Sequence, residues 1–266
     1  MKILVRATNW VGDAVLSLPA MRAIRQSHPQ DEITVLARPW VAGLYRRENF
    51  ADHVIELAPE GRLQTASRLR RGGFDCALLL PNSFDSALVV WLAAIPRRIG
   101  YARDGRGWLL TEALLPPKPG EIPAHQCYYY LELIRRAAWI DTLPEINEIR
   151  LAADASAGRA LFREFGLGER VIGVSPGAAF GSAKRWFPDR FAAAARTLAR
   201  EWDAEVALFG SAGEHPLCDF VAARIGPAAH NLAGRTSLEQ FIDLAAACSA
   251  FLTNDSGAMH IAAAAG

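Results

Sequence analysis

The sequence predicts an α/β protein made of two successive units, each built on a parallel sheet. Short β-branched or aliphatic runs alternate with amphipathic stretches along all 266 residues, which is the pattern that βα units leave in a chain. These runs form two series, separated by an irregular segment that contains proline. Apolar side chains make up 51% and charged ones 21%. That balance supplies a core and excludes a disordered chain, a collagen-like repeat or a disulfide scaffold.

The first series places strands over residues 3–6, 33–37, 54–57, 76–80 and 98–101. A helix over 14–27 turns Val15, Leu18, Ala20, Met21 and Ile24 toward a sheet. The second series places strands over 171–175, 205–209, 230–232 and 251–253, each followed by a helical pattern. The segment 140–168 holds Pro144, a charged helix-like stretch and the Gly166-Leu167-Gly168 turn, so the boundary falls there, giving domains over 1–150 and 151–266. The sequence ends in or just after the helix that follows Asn254-Asp255-Ser256-Gly257. A second domain comparable to the first needs one or two more strands, and the expectation is that this one is cut short. No repeat of fixed period is present.

Charge and cysteine usage narrow the setting. Against 28 acids stand 29 Lys and Arg, a net charge of +1, which gives no footprint for bulk nucleic-acid binding. Cys76, Cys127, Cys218 and Cys248 form no C-x-x-C pair, and they are expected to be buried thiols in a reducing compartment. Only three apolar residues separate Lys2 from Arg6, too few for a signal-peptide core. The longest apolar run, 87–95, stops at Pro96-Arg97-Arg98, short of the roughly 20 residues of a membrane span. A cytoplasmic protein that at most rests on a membrane is expected.

Chemistry concentrates in the loops after strands, where open parallel sheets form their ligand crevice. The first such loop, Thr8-Asn9-Trp10-Val11-Gly12-Asp13, puts a carboxylate at the crevice. Taken alone, Asp13 reads more readily as a plain helix cap. Neither G-x-G-x-x-G nor G-x-x-x-x-G-K-[ST] occurs, which disfavours a dinucleotide fold or a P-loop. After residue 175 the small residues around Gly177 let backbone amides approach a ligand, and Lys184 and Arg185 can neutralise phosphate. A solvated loop reads the same way. Gly210-Ser211-Ala212-Gly213-Glu214 follows the next strand, as either a ligand loop or a simple βα turn. Asp255, Ser256 and Gly257 open the last helix, whose free N–H groups suit a phosphate, and His260 faces either crevice or core. Three such loops side by side strengthen one another.

Between residues 62 and 106 stand eight arginines and three aspartates, a window of +5. It suits an anionic substrate or membrane surface, or is a set of solvated helix ends. No D-x-D triplet or cluster of His, Cys and carboxylates indicates a metal site.

Taken together, these stretches resemble glycosyltransferase family 9 and, within it, the lipopolysaccharide heptosyltransferase II group. The carrying stretches are residues 10–19 (WVGDAVLSLP), 80–88 (LPNSFDSAL), 94–101 (AIPRRIGY), 176–178 with 183–186 (PGA and AKRW), 208–212 (LFGSA), 231–234 (NLAG) and 253–260 (TNDSGAMH). They run the length of the chain in the family's order.

The resemblance implies a GT-B architecture: two Rossmann-like domains whose parallel sheets face a cleft, the acceptor on the first and the nucleotide sugar on the second. It implies inverting transfer of L-glycero-D-manno-heptose from ADP-heptose to the first heptose on Kdo2-lipid A, with no cofactor required, at the cytoplasmic face of the inner membrane. By match to the family, Asp13 is the general base and Lys184 the diphosphate ligand. Gly177 belongs to the donor site, Asp255, Ser256, Gly257 and His260 hold the phosphates and heptose, Glu214 meets the ribose or adenine, and Thr236 lines the adenine pocket. Ala179 and Phe180 stand where some relatives have threonines, which leaves phosphate contacts there to backbone amides. Arg97, Arg98, Arg103 and Arg106 are the candidates for the acidic lipid core. The alternatives are another GT-B nucleotide-sugar enzyme, such as one with a different donor or acceptor or an epimerase, and a truncated nucleotide-binding module without turnover.

Overall fold

The computed structural model describes the chain apart from residues 60, 179 and 180, and the backbone alone at Ser182. The chain divides into two compact units, Met1–Ile149 and Arg150–Gly266.

Unit 1 runs β1 (Lys2–Arg6), α1 (Val11–Ser27), β2 (Glu32–Ala37), α2 (Pro39–Arg46), β3 (His53–Glu56), α3 (Arg62–Gly72), β4 (Cys76–Leu79), α4 (Phe84–Leu92), β5 (Arg97–Tyr101), β6 (Glu112–Leu114) and α5 (Cys127–Arg136). Its six strands are all parallel, in the order β3-β2-β1-β4-β5-β6. This is the doubly wound order, whose reversal between β1 and β4 opens a crevice at the carboxyl ends of both. β1, β2 and β4 are buried almost end to end, as a sheet covered on both faces requires. α3 and α4 close one face, where Leu69, Ala87 and Val90 pack on Leu4, Leu36 and Leu79.

Unit 2 runs α6 (Ala155–Glu164), β7 (Val171–Ser175), α7 (Pro188–Trp202), β8 (Glu205–Leu208), α8 (His215–Ile225), β9 (Ala229–Asn231), α9 (Leu238–Ala247), β10 (Ala250–Thr253) and α10 (Gly257–Ala265). Four parallel strands lie in the order β10-β7-β8-β9. Phe191, Ala195 and Val221 pack on Ile172 and Val206 on one face, while Phe162 and Leu244 pack on Val171 and Ala207 on the other. The order sets the carboxyl ends of β10, β7 and β8 next to one another.

The strands expected from sequence recur within a residue or so of each bound. β6 is additional. Its Glu-Ala-Leu carries no β-branched residue and pairs with β5 alone, so its extended form comes from the sheet edge rather than from propensity. No helix among the described residues is long and apolar enough to cross a membrane.

Candidate active site

In unit 1 the chain leaves β1, forms the loop 7–10 and enters α1. Trp10 is the residue at the helix N-cap and makes no side-chain capping bond. Asp13 lies in the first turn, three residues further on, so it is not the N-cap. Its carboxylate benefits from the positive end of the helix, and it stays partly exposed. α5 packs on α1 and brings Tyr130, which is hydrogen-bonded to both Asp13 and Gln126. Burial, then the Asp13 charge, push the Tyr130 phenol well above its usual range. It therefore remains a donor at any working pH.

No sequence motif marks Tyr130. It belongs to a run of three tyrosines, each of which fixes a different segment. The Tyr128 hydroxyl accepts from Ile146 N at 2.9 Å, and that of Tyr129 accepts from Asn82 Nδ2 at 2.8 Å. Behind Asp13, the Tyr45 hydroxyl lies 3.1 Å from Ser17 Oγ and 3.5 Å from Thr8 Oγ1. Arg6, at the end of β1, is buried and held down to about 10 by that burial, with Asn9 Oδ1 2.6 Å from its guanidinium.

The four candidate arginines separate. Arg106 requires a correction: it is fully buried, and its guanidinium donates to Tyr101 O at 3.0 Å, Ser86 Oγ at 2.9 Å, Ser83 O at 3.2 Å and Pro81 O. Burial lowers it to about 10. It joins the loop after β5 to the loop after β4 and offers nothing to an acceptor. Arg97 and Arg98 open β5, so they stand at the amino edge of the sheet, away from the crevice. Arg97 pairs with Glu112, and Arg98 donates to Ile95 O at 2.6 Å and Leu109 O at 2.7 Å. Neither reaches the crevice, and both are corrected: they are not contacts for an acceptor bound there. Arg103 alone of the four is exposed beyond the carboxyl end of β5.

In unit 2 three strand ends converge. Asn254, after β10, is buried. Its amide donates to Pro176 O at 2.8 Å and Gly177 O at 3.1 Å and accepts from Trp186 N at 2.9 Å. One side chain thereby fixes the loop after β7 against the loop after β10, a role no sequence signal marked beyond its place in the TNDSG run. Lys184 Nζ sits 2.8 Å from Asp255 Oδ2, with both side chains half-exposed or more. Lys184 and the nearby His260 hold the Asp255 carboxyl below its usual range, Lys184 contributing more.

Ser256 caps α10 without a side-chain capping bond, so the first amides of α10, at Gly257 and beyond, have no capping acceptor from it. From β8, Glu214 Oε2 accepts from Ser211 N at 2.8 Å and Ser211 Oγ at 2.9 Å, and its carboxylate lies against Gly177. The loop after β9 joins through Gly234, whose N–H donates to Gly210 O at 2.9 Å. Thr236 stands two residues further on. Gly177, Lys184, Glu214, Asp255, Ser256, Gly257 and His260 thus lie on neighbouring strand ends, with Thr236 at the rim. The positions 179 and 180 lie outside the described residues. Among those described, no group of three His, Cys, Asp or Glu side chains could hold a metal ion.

A family model for glycosyltransferase family 9 (heptosyltransferase) matches residues 62–266. The chain belongs to glycosyltransferase family 9. It is 36% identical to lipopolysaccharide heptosyltransferase 2 of Salmonella typhimurium, over 99% of this chain and 80% of that one. Among solved structures, the E. coli ADP-heptose lipopolysaccharide heptosyltransferase II superposes with a TM-score of 0.85 at 34% identity, covering 100% of this chain and 82% of the other. An E. coli heptosyltransferase solved with ADP-2-deoxy-2-fluoro heptose shares the fold, with a TM-score of 0.76 at 18% identity, covering 100% and 86%. The doubly wound parallel sheets of this family 9 chain are therefore those of a GT-B glycosyltransferase.

Proposed function

We propose that this family 9 enzyme moves L-glycero-D-manno-heptose from ADP-heptose to the first heptose of the lipopolysaccharide inner core, with inversion at the anomeric carbon. The observation that carries the reading is the 36% identity to a lipopolysaccharide heptosyltransferase 2 across 99% of the chain. The ADP-heptose donor is supported by the name of the related E. coli enzyme. Single displacement needs a base at the acceptor and charge stabilisation at the leaving group. Asp13 takes the proton of the acceptor hydroxyl as that oxygen bonds to the anomeric carbon. The bond from that carbon to the diphosphate breaks, and its electron pair leaves with ADP. Tyr130 orients the Asp13 carboxylate.

On the donor side, Lys184 and the amides opening α10 meet the charge growing on the diphosphate. Gly177, Glu214, Thr236 and His260 hold the rest of the donor, with Asp255 meeting the heptose once Lys184 turns to the diphosphate. Transfer proceeds without a resident metal in this reading, Lys184 and the α10 amides supplying the charge. The acceptor is heptosyl-Kdo2-lipid A, reached at the cytoplasmic face of the inner membrane.

The test is Asp13→Asn. Transfer from ADP-heptose falls by roughly 10²–10⁴-fold, the usual worth of a general base, while ADP binding by calorimetry stays unchanged. Near-normal turnover in that variant would refute the assignment. Addition of EDTA leaves the rate of the unmodified enzyme as it was.

A further inference from the structure

Three aromatic rings form an exposed ladder on unit 1. Phe84 and Trp91 lie seven residues apart on α4, and Trp108 lies on the short turn after β5. Trp108 contacts both, with ring centroids 6.2 Å from Phe84 and 6.1 Å from Trp91. They remain 39%, 43% and 67% exposed respectively. α4 meets its core with a different face, through Ser86, Ala87, Val89 and Val90. A lone exposed aromatic needs no explanation, but three in contact make an apolar patch of the kind that marks an interaction site.

Arginines surround this ladder. Arg62 pairs with Asp85, next to Phe84. Arg70 donates to Leu92 O at 2.6 Å, beside Trp91, and Arg98 donates to Leu109 O at 2.7 Å, beside Trp108. Arg103 begins the turn that carries Trp108, its carbonyl accepting from Arg106 N at 3.1 Å. Four arginines against Asp85 and Asp104 leave a surplus of two positive charges at the rim.

We propose that this face docks the protein on a bilayer with anionic headgroups, the rings entering the interface and the arginines lying over the headgroups. Tryptophan favours the membrane–water boundary, and a cationic rim complements anionic lipid. A second copy meeting the same face would set arginine against arginine, because a two-fold contact pairs the patch with itself. The inference rests on the lipid-acceptor reading only in preferring a bilayer to a protein partner.

Sedimentation with vesicles tests it, using phosphatidylcholine alone or with one quarter phosphatidylglycerol, and no donor present. The full chain binds the phosphatidylglycerol vesicles, and binding drops about tenfold or more without the anionic lipid or in about 0.5 M salt. The Trp91→Ala/Trp108→Ala variant binds them about tenfold less again, Trp108→Ala alone less severely, and both melt within a few degrees of the parent. Transfer to a delipidated acceptor is unchanged in the double variant. Absence of transfer in the parent would count against the proposed reaction and leave the sedimentation result standing. The docking proposal is overturned if the parent does not bind anionic vesicles, if the folded double variant binds them as well as the parent, or if its main effect is to dissolve a dimer.

Discussion

At Gly177 a side chain would collide with Glu214. A Cβ built there would lie 1.9 Å from Glu214 Oε1, so close approach, rather than backbone freedom, calls for glycine. The obstructing atom ends a flexible side chain, and Gly177→Ala is accommodated by pushing Glu214 off Ser211. The expected cost in unfolding free energy is about 1 kcal/mol, the worth of one capping interaction. ADP affinity by calorimetry falls about tenfold if Glu214 meets the nucleoside, since such a contact is worth about 1.4 kcal/mol. Unchanged affinity would remove Glu214 from the donor site. The places of Asp13, Lys184 and Asp255 at strand ends were legible because each follows a recognisable strand. Tyr130 and the clamp at Asn254 were not, since the first reaches Asp13 only through helix packing and the second acts on carbonyls distant in sequence. Arg106 misled for a related reason: counting charge along a window says nothing about which cations the fold consumes.

Among the elements, α6 shows most clearly how one small residue sets a packing distance. A Cβ at Gly158 would come 2.0 Å from Asp243 O and 2.8 Å from the Ala247 Cβ of α9. Backbone cannot swing aside as a side chain can. Gly158→Ala therefore separates α6 from α9 and lowers stability by about 1–3 kcal/mol, the range for overpacking, read as a drop in urea midpoint. A negligible change would mean that the two helices slide freely. α6 starts where Asp154 accepts from Ser156 N at 2.8 Å and Ala157 N at 3.1 Å, yet its sequence lies in the stretch expected to be the boundary. Its short amphipathic pattern between a proline and a Gly-Leu-Gly turn looks like a connection until α9 gives it a surface. The buried strands were legible because hydrophobic runs of that length have few other solutions, whereas β6 takes its form from β5.

For the molecule as a whole, titration sets the conditions under which it stays folded. Arg135, with Arg136, holds the buried Glu132 carboxyl below its ordinary 4.5. The Ile33 amide, with Arg25, holds Asp52 below 3.8. A carboxylate with a lowered folded pKa stabilises fully above its unfolded value and loses that contribution as pH falls through the folded one. Urea midpoints should therefore be level near neutrality and decline as pH drops below about 4. Glu132→Gln should lose roughly 2 kcal/mol at pH 7, since charge-assisted bonds are lost, and show a shallower acid decline. A decline as steep as the parent's would place the acid sensitivity elsewhere. Three of the four thiols are buried as expected, Cys248 only in part, and burial pushes Cys76, Cys218 and Cys248 up to about 12, which keeps them protonated near neutrality.

The exposed pair of Lys184 and Asp255 has one more consequence. Two half-solvated charges bind each other by under about 1 kcal/mol, so Asp255 acts as a resting counter-ion. It holds the lysine extended toward α10, and in the proposed reaction a diphosphate takes over the lysine with little free energy lost from the fold.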